Sequence, residues 1–466
     1  MRIQIPLRIV ADDNSVISED EILQLNKADG RLEAIGLSLA EAKGMLAGIQ
    51  ERVITTQAAS FLARHECCAL CGGQQLSKGR YQIQFRTAFG TIPLVSPRFH
   101  RCRCYPWARK TFSPLTGLFT EHTAPERLSL ETKWASLVSF DLTAPLLKEV
   151  LPIGRTANAC TIRRHLHRVA PRQEADLGRG KPDRLEDAPA DGQQGPVRPT
   201  PMLVGSDGGY VRNWHDNKRN FEVLVGKSLP ENSGPRYFGL VQSQDGTPTP
   251  RLAEVLHLQE PPIKPAITVL TDGGDSVRAF VAEQLPGTAH HLDWFHVAMR
   301  LTGLSQYAAG LAPYNPVEAM AVQNRLDRIK WRLWHGNAGE ALTRAQELAE
   351  DVAALDTGYP KPTRLVKAAA SLATDLENNA AAIPDYGERG RNGDRISTAF
   401  VESAVNVVVS RRFAKKQQMP WSRTGAHRLL QTRAQTLDGT LRETFITWYP
   451  AMAINDNQLP AAEAVA

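Results

Sequence analysis

The sequence predicts an α/β layer fold built on a mixed sheet in the middle of the chain. Strand-like runs follow one another at 201–211, 220–225 and 236–242, the pattern of consecutive short strands. Helix and strand then alternate, with a helix at 251–258, a strand at 266–270, a helix at 276–284 and a strand near 289–292, the order that builds an α/β layer. A third observation is chemical. Asp207 follows the apolar run Met202-Leu203-Val204, Asp272 follows Ala266-Ile267-Thr268-Val269-Leu270-Thr271, and Glu402 sits inside the apolar stretch Ile396 to Val409. Two carboxylates are therefore expected at the ends of buried strands, and a third on a packed helix.

A chain of 466 residues has room for about three domains. Residues 1–64 read as an N-terminal helical region, opening with a short alternating strand at 1–12. Ser38 with Glu41 forms a capping box ahead of a helix from 37 to 63. Residues 65–120 carry most of the cysteines, and the runs 81–85 and 91–95 flank a Phe89-Gly90 turn, a hairpin signal. Residues 121–170 form a helix-turn-helix-like region in which 126–170 read as three helices, with Thr143 as a candidate cap, Pro145 in the first turn after it and Pro152-Ile153-Gly154 as a break. The Pro-, Gly- and Asp-rich run 171–200 reads as a linker. The mixed sheet then occupies 201–299, with the helix from 396 to 412 returning to it within 394–435. Residues 300–393 are helical in pattern, and 436–466 read as a C-terminal tail.

The balance of 55 basic against 49 acidic residues gives a net charge of +6, which permits nucleic-acid binding without demanding it. No apolar run approaches the roughly 18–20 residues that span a bilayer. The N-terminus also lacks a signal-peptide core. A cytoplasmic protein with no membrane partner is expected.

Five of the six cysteines fall between Cys67 and Cys104. In a reducing compartment such clustering favours metal over disulfides. Cys68-Ala-Leu-Cys71 is a C-x-x-C knuckle and Cys102-Arg-Cys104 a tighter partner, together resembling a zinc ribbon. The C-x-C half departs from the usual spacing, and Cys67 or His65 is an alternative ligand. Arg101 and Arg103 beside these cysteines are candidate phosphate contacts. The run Thr161 to Arg168, with Arg163 and Arg164, fits the second helix of a helix-turn-helix, whose side chains would reach DNA. Arg411 and Arg412 form a further basic cluster. A solvated face is the plain alternative for each of these cationic runs.

The three acids gain meaning from their surroundings. Asp207 precedes Gly208-Gly209, and Asp272 precedes Gly273-Gly274, so backbone or a ligand can approach closely at both. Each Asp-Gly alone is also an ordinary turn signal. A helical wheel puts Glu402 at the edge of the apolar arc of its helix. The long interval from Asp272 to Glu402 exceeds any simple loop and requires a helical subdomain inside the fold. In Leu292-Asp293-Trp294-Phe295-His296, Asp293 and His296 share one side if a helix starts there. His296 could orient a phosphate or protonate a leaving group. Three converging carboxylates form an oxygen-ligand site for divalent cations, and hence for phosphodiester chemistry.

In order, these motifs are the cysteine ribbon, the helix-turn-helix-like region, Ser206-Asp207-Gly208, Thr271-Asp272-Gly273, Asp293-Trp294-Phe295-His296 and Phe400-Val401-Glu402-Ser403. Together they resemble the Asp-Asp-Glu (DDE) transposases of bacterial insertion sequences, in the Mutator-like group and closest to the ISKra family. The segment Pro420-Trp421-Ser422-Arg423-Thr424-Gly425-Ala426-His427 is similar to that family's C-terminal signature, and Asp293 with His296 to the Asp-x-x-His motif of the group. The resemblance covers most of residues 37–435. It implies an RNase H-like catalytic domain with a helical insertion, preceded by zinc-ribbon-like and helix-turn-helix-like modules. It also implies that Asp207, Asp272 and Glu402 bind two Mg²⁺ (or Mn²⁺) ions, with DNA terminal inverted repeats and target as partners. The expected activity is DNA transposition by a homo-oligomer at the nucleoid. A non-catalytic zinc-ribbon DNA-binding protein and an RNase H-like nuclease are the alternatives.

Overall fold

The computed structural model describes residues 1–27, 30–107, 110–154, 157–177, 201–216, 218–230, 234–246, 248–257, 266–355, 362–397, 399–414 and 419–453. Most of the expected linker, 178–200, lies outside them, as do 356–361 of the helical stretch and 454–466 of the tail. The chain forms two compact units. One comprises residues 1–169 with 440–466, and the other residues 170–439.

In the first unit, β1 (Arg2–Val10) and β2 (Val16–Asn26) pair as an antiparallel hairpin. Only the first of these strands was expected from the sequence. α1 (Leu39–Ala63) begins with the expected capping box. Ser38 Oγ accepts the Glu41 N–H, and the Glu41 carboxylate accepts the Ser38 N–H at 2.7 Å. β3 (Ser77–Thr87) and β4 (Gly90–His100) pair across the expected turn, and β5 (Thr111–Phe112) extends the sheet. Ile54 and Ala58 of α1 pack with Ile83, Ile92 and Leu94 of that sheet and with Leu115 of α2 (Pro114–Leu118).

Three further helices follow, α3 (Pro125–Leu137), α4 (Phe140–Val150) and α5 (Ala159–Ala175). Ser139, not Thr143, caps α4, and Pro145 lies inside that helix beyond its first turn. Thr143 instead turns its hydroxyl back to the Ser139 carbonyl at 2.8 Å.

In the second unit a five-stranded sheet runs in the order β10-β9-β6-β7-β8. β6 (Pro201–Arg212), β7 (Asn220–Pro230) and β8 (Arg236–Leu240) form an antiparallel meander. β9 (Ala266–Thr271) lies parallel to β6, and β10 (Ala289–Leu292) parallel to β9. The mixed sheet is therefore as expected. α6 (Pro248–His257) and α7 (Asp275–Gln284) cover one face, where Met202, Val204 and Leu224 meet Leu252, Val277 and Phe280.

α8 (Trp294–Leu311), α9 (Pro316–Trp334), α10 (Ala338–Ala354), α11 (Pro362–Asn379) and α12 (Tyr386–Arg391) build a helical block around its own core of Leu301, Leu304, Leu326, Ile329, Leu348 and Leu372. This block starts at Trp294, slightly before the expected boundary at 300.

The chain returns to the sheet as α13 (Ala399–Val405), which packs on β6 and β7. The single helix expected to run on to 412 instead widens into a π-helix over Asn406–Ala414. The buried Arg433 of α14 (Arg423–Asp438) supplies the reason. Its guanidinium donates to the carbonyls of Val407 (a short contact) and Val408 (2.8 Å) and so competes with the ordinary helical ladder. α15 (Leu441–Trp448) then rejoins the first unit, where Leu441 and Phe445 pack with Leu128 and Val169. Residues 441–453, expected as tail, are thus ordered and partly buried. No described helix is long and apolar enough to cross a membrane.

Candidate functional site

The sheet register builds the acidic site. Ser206 pairs with Thr271 across the parallel β6–β9 ladder, so Asp207 and Asp272 are the next residues along neighbouring strands. Alternation along a strand turns Asp207 to the face opposite Ser206 and Val204. Gly209 shares that face and shows what covers it: a Cβ at Gly209 would stand 3.1 Å from the Val409 side chain of the π-helix. Asp207 therefore looks toward the element that continues from α13. A β-carbon at this glycine would crowd the Val409 and Val223 side chains, so the small residue lets the returning helix pack closely on the strand.

Asp207 and Asp272 are both half-buried. Asp207 Oδ1 accepts the Gly208 N–H at 2.6 Å, and Asp272 Oδ1 accepts the Gly274 N–H at 3.0 Å. Glu402 lies on α13, the helix packed on β6 and β7, but its side chain is outside the described residues. The strands and that helix thus set Asp207 and Asp272 next to a paired position on neighbouring strands and carry the third residue's backbone to the same sheet.

Asp293 also ends a strand in this row, and its N–H donates to the Thr271 carbonyl at 2.8 Å. Its side chain is buried and N-caps α8, accepting the Phe295 N–H at 2.9 Å. That makes it a positioning residue for the start of the helical block. Trp294 enters the core of the block, with its ring 4.9 Å from both Trp334 and Tyr386. His296 Nε2 accepts from Arg300 Nε at 2.8 Å, and the same Arg300 Nε lies 3.0 Å from Asp375.

The two histidines on β10 are engaged as well. His290 Nε2 is 2.8 Å from Thr271 Oγ1, and His291 Nε2 is 3.2 Å from Arg389. Burial and the nearby Arg389 cation pull the His291 pKa down to about 4, so that ring is neutral near pH 7.

The cysteine site forms independently. The ligand atoms of Cys68, Cys71, Cys102 and Cys104 lie within 4.8 Å of one another. Sγ of Cys102 is 3.5 Å from Sγ of both Cys71 and Cys104. Four sulfurs each about 2.3 Å from a central ion stand about 3.8 Å apart, so the group has the size and donor chemistry of a tetrahedral thiolate site. The turn is closed by Gly72 N–H to Cys68 O and Cys68 N–H to Gly73 O, both 2.8 Å. The Cys104 N–H and the neighbouring thiols bring the Cys102 thiol down to about 7. Neither alternative ligand belongs to this group: Cys67 is not part of it, and His65 Nδ1 bonds the Phe61 carbonyl.

The candidate DNA-contacting arginines divide. Arg103, Arg163, Arg164 and Arg411 are exposed. Arg101 is half-buried, with its guanidinium 4.5 Å above the Phe112 ring. Arg412 is 1% exposed and lies 5.1 Å over the Trp421 ring, so it belongs to the interior rather than to a basic surface. His165, within the helix expected to face DNA, is buried against Glu131.

Sequence reasoning missed one buried network in the second unit. Arg251 Nε bonds Asp245 at 2.8 Å, its Nη2 bonds Asp245 at 3.1 Å and Glu174 at 3.3 Å, and Nη1 contacts Gln431. His427 accepts the Val241 N–H on Nδ1 at 3.2 Å and therefore donates from Nε2 to Glu174. The ligand atoms of Glu174, Asp245 and His427 are close enough together for a metal. The Arg251 guanidinium already balances both carboxylates. Nothing local in the sequence joins residues so far apart. No protein-family model and no curated protein matches the chain.

Proposed function

We propose that the chain is a DDE transposase with an RNase H-like catalytic unit, a divalent-metal-dependent enzyme that cuts DNA at the ends of an insertion sequence and joins them to a target. The observation that carries this reading is the Ser206–Thr271 pairing, which makes Asp207, within β6, and Asp272, just past the end of β9, the next residues along parallel neighbouring strands, on the sheet that α13 covers. The strand order, with an antiparallel meander followed by two strands parallel to its first, supports the RNase H-like assignment. So does a helical block between the second Asp and the Glu.

Asp207, Asp272 and Glu402 would hold the cations, and hard carboxylate oxygens suit Mg²⁺ or Mn²⁺. Such ions supply Lewis-acid activation of the attacking and leaving oxygens. The chain itself orients the carboxylates, through the N–H groups of Gly208 and Gly274 and through two strands locked in register. Asp293 fixes the helix that presents His296. The four-cysteine group would hold Zn²⁺, which folds its loop, and the exposed Arg103, Arg163, Arg164 and Arg411 would meet phosphates.

The test is cleavage and joining of DNA carrying the element ends, with Mg²⁺ or Mn²⁺. Asp207→Asn, Asp272→Asn and Glu402→Gln are each expected to abolish both steps while DNA binding persists. Full activity in any one variant removes that residue from the site. Binding without cleavage by the native protein would make it a non-catalytic DNA-binding protein, and cleavage without joining a nuclease.

A further inference from the structure

The ladder between β6 and β9 stops at Ser206–Thr271, but β6 runs on to Arg212, paired with β7. Past the acidic site the β6–β7 hairpin therefore continues as a two-stranded ribbon. Two large aromatics stand on it in the open, Tyr210 at 65% exposure and Trp214 at 61%. Around them Arg212, His215, Lys218 and Arg219 are all exposed. The acids nearby are engaged: Asp216 pairs with Arg219 at 3.4 Å, and Glu222 accepts the Ser276 hydroxyl at 2.6 Å.

This end of the hairpin is held firmly. The Trp214 N–H donates to the Trp421 carbonyl and the Trp421 N–H to the Arg212 carbonyl, both at 2.8 Å, while the Asn213 N–H donates to Arg219 O at 3.1 Å. Trp421 is itself buried, with the Phe413 ring 4.9 Å away and Arg412 over its face. Exposed aromatics on a backbone anchored by a buried tryptophan are displayed at low entropic cost for binding.

Resting on the DNA-cleaving reading, we infer that this ribbon docks an unpaired DNA strand beside the acidic site, with Tyr210 and Trp214 stacking on bases and Arg212 and Lys218 meeting phosphates. Cations alone would serve a duplex equally well. The aromatics select the single strand, because only unpaired bases offer their faces. Tyr210 lies three residues beyond Asp207, about 10 Å along the strand at about 3.3 Å per residue, and alternation turns it to the other face of the ribbon, so a bound strand of a few nucleotides would pass round the ribbon to reach the acids.

The experiment measures the affinity of the full-length protein for labelled oligothymidylate and for a blunt duplex of equal length, without added Mg²⁺ or Mn²⁺. Tyr210→Ala and Trp214→Ala should each weaken oligothymidylate binding about five- to hundred-fold, the range for loss of one stacked base, and change duplex binding less than about twofold. Tyr210→Phe and Trp214→Phe should retain the affinity. Because binding is read without metal and without cleavage, failure of the catalytic reading and failure of the docking surface are separable. The inference is overturned by unchanged oligothymidylate affinity in a correctly melting double alanine variant, or by equal loss on both DNA forms. A shift in oligomeric state with DNA affinity intact also overturns it, assigning the surface to a second copy of the chain.

Discussion

Glu131 is fully buried in α3, bonded by Arg127 Nε at 2.8 Å and by His165 of α5. Burial pushes its pKa up, but the His165 hydrogen bond and the Arg127 charge outweigh that and hold it below the ordinary glutamate value. A carboxyl whose folded pKa is depressed stabilises the fold above its unfolded pKa, and that contribution is lost as pH falls through the folded one. Denaturant titrations should therefore show falling stability as pH drops below the usual glutamate range of about 4.5, and Glu131→Gln should flatten that dependence. Removing one partner from a buried ionic group costs about 3–5 kcal/mol, and Glu131→Gln should lower stability by a sizeable part of that. At this scale the sequence was least informative. Arg412 and His165 read as surface cations because a basic residue in a basic run looks the same whether it faces water, a tryptophan ring or a buried carboxylate.

Within the elements, β7 is pinched at Gly226. A Cβ there would stand 2.5 Å from the Gly205 carbonyl oxygen and closer still to the Phe238 ring. Gly226→Ala should cost about 1–3 kcal/mol, as overpacking does, measured by chemical denaturation, and reduce cleavage in step with the fraction unfolded. The π-helix gives a second prediction. Arg433→Leu strips the donors from the Val407 and Val408 carbonyls, and leaving such buried acceptors unmet costs about 1–3 kcal/mol each. Elements with strong local signals were legible. The Ser38–Glu41 box, the hairpin around Gly90, the strand after Thr288 and the strand ending just before Asp272 all follow from patterns within a few residues, whereas Asp207, expected at a strand end, lies within β6. β2, the Ser139 cap and the switch from α- to π-helix were not legible. Pairing across a turn, the choice between two nearby hydroxyls and a guanidinium arriving from residue 433 leave no local trace. The closeness of Asp207 and Asp272 was suggested by their strand contexts, but only the register shows that they follow a paired position on neighbouring strands.

The whole molecule has two units with separate cores. Calorimetry should resolve two transitions. A zinc chelator, or Cys102→Ser, should lower only the one belonging to the cysteine-bearing unit, while Gly226→Ala lowers only the other. Metal analysis should find about one zinc per chain, lost in the cysteine variant. The first unit is also discontinuous along the chain: Phe445, 0% exposed, and Leu441 complete a cluster with Leu128 and Val169. This fixes an order of events during synthesis. The sheet unit, contiguous from 170 to 439, can fold as soon as it leaves the ribosome. The cysteine-bearing unit, begun first, must wait with an apolar gap until residues 441–452 emerge. A chain stopped after Gly439 should thus leave the sheet transition intact and lose the first unit's cooperative one. Any competence to hold DNA that depends on that unit would then arise only after the acidic site has already formed.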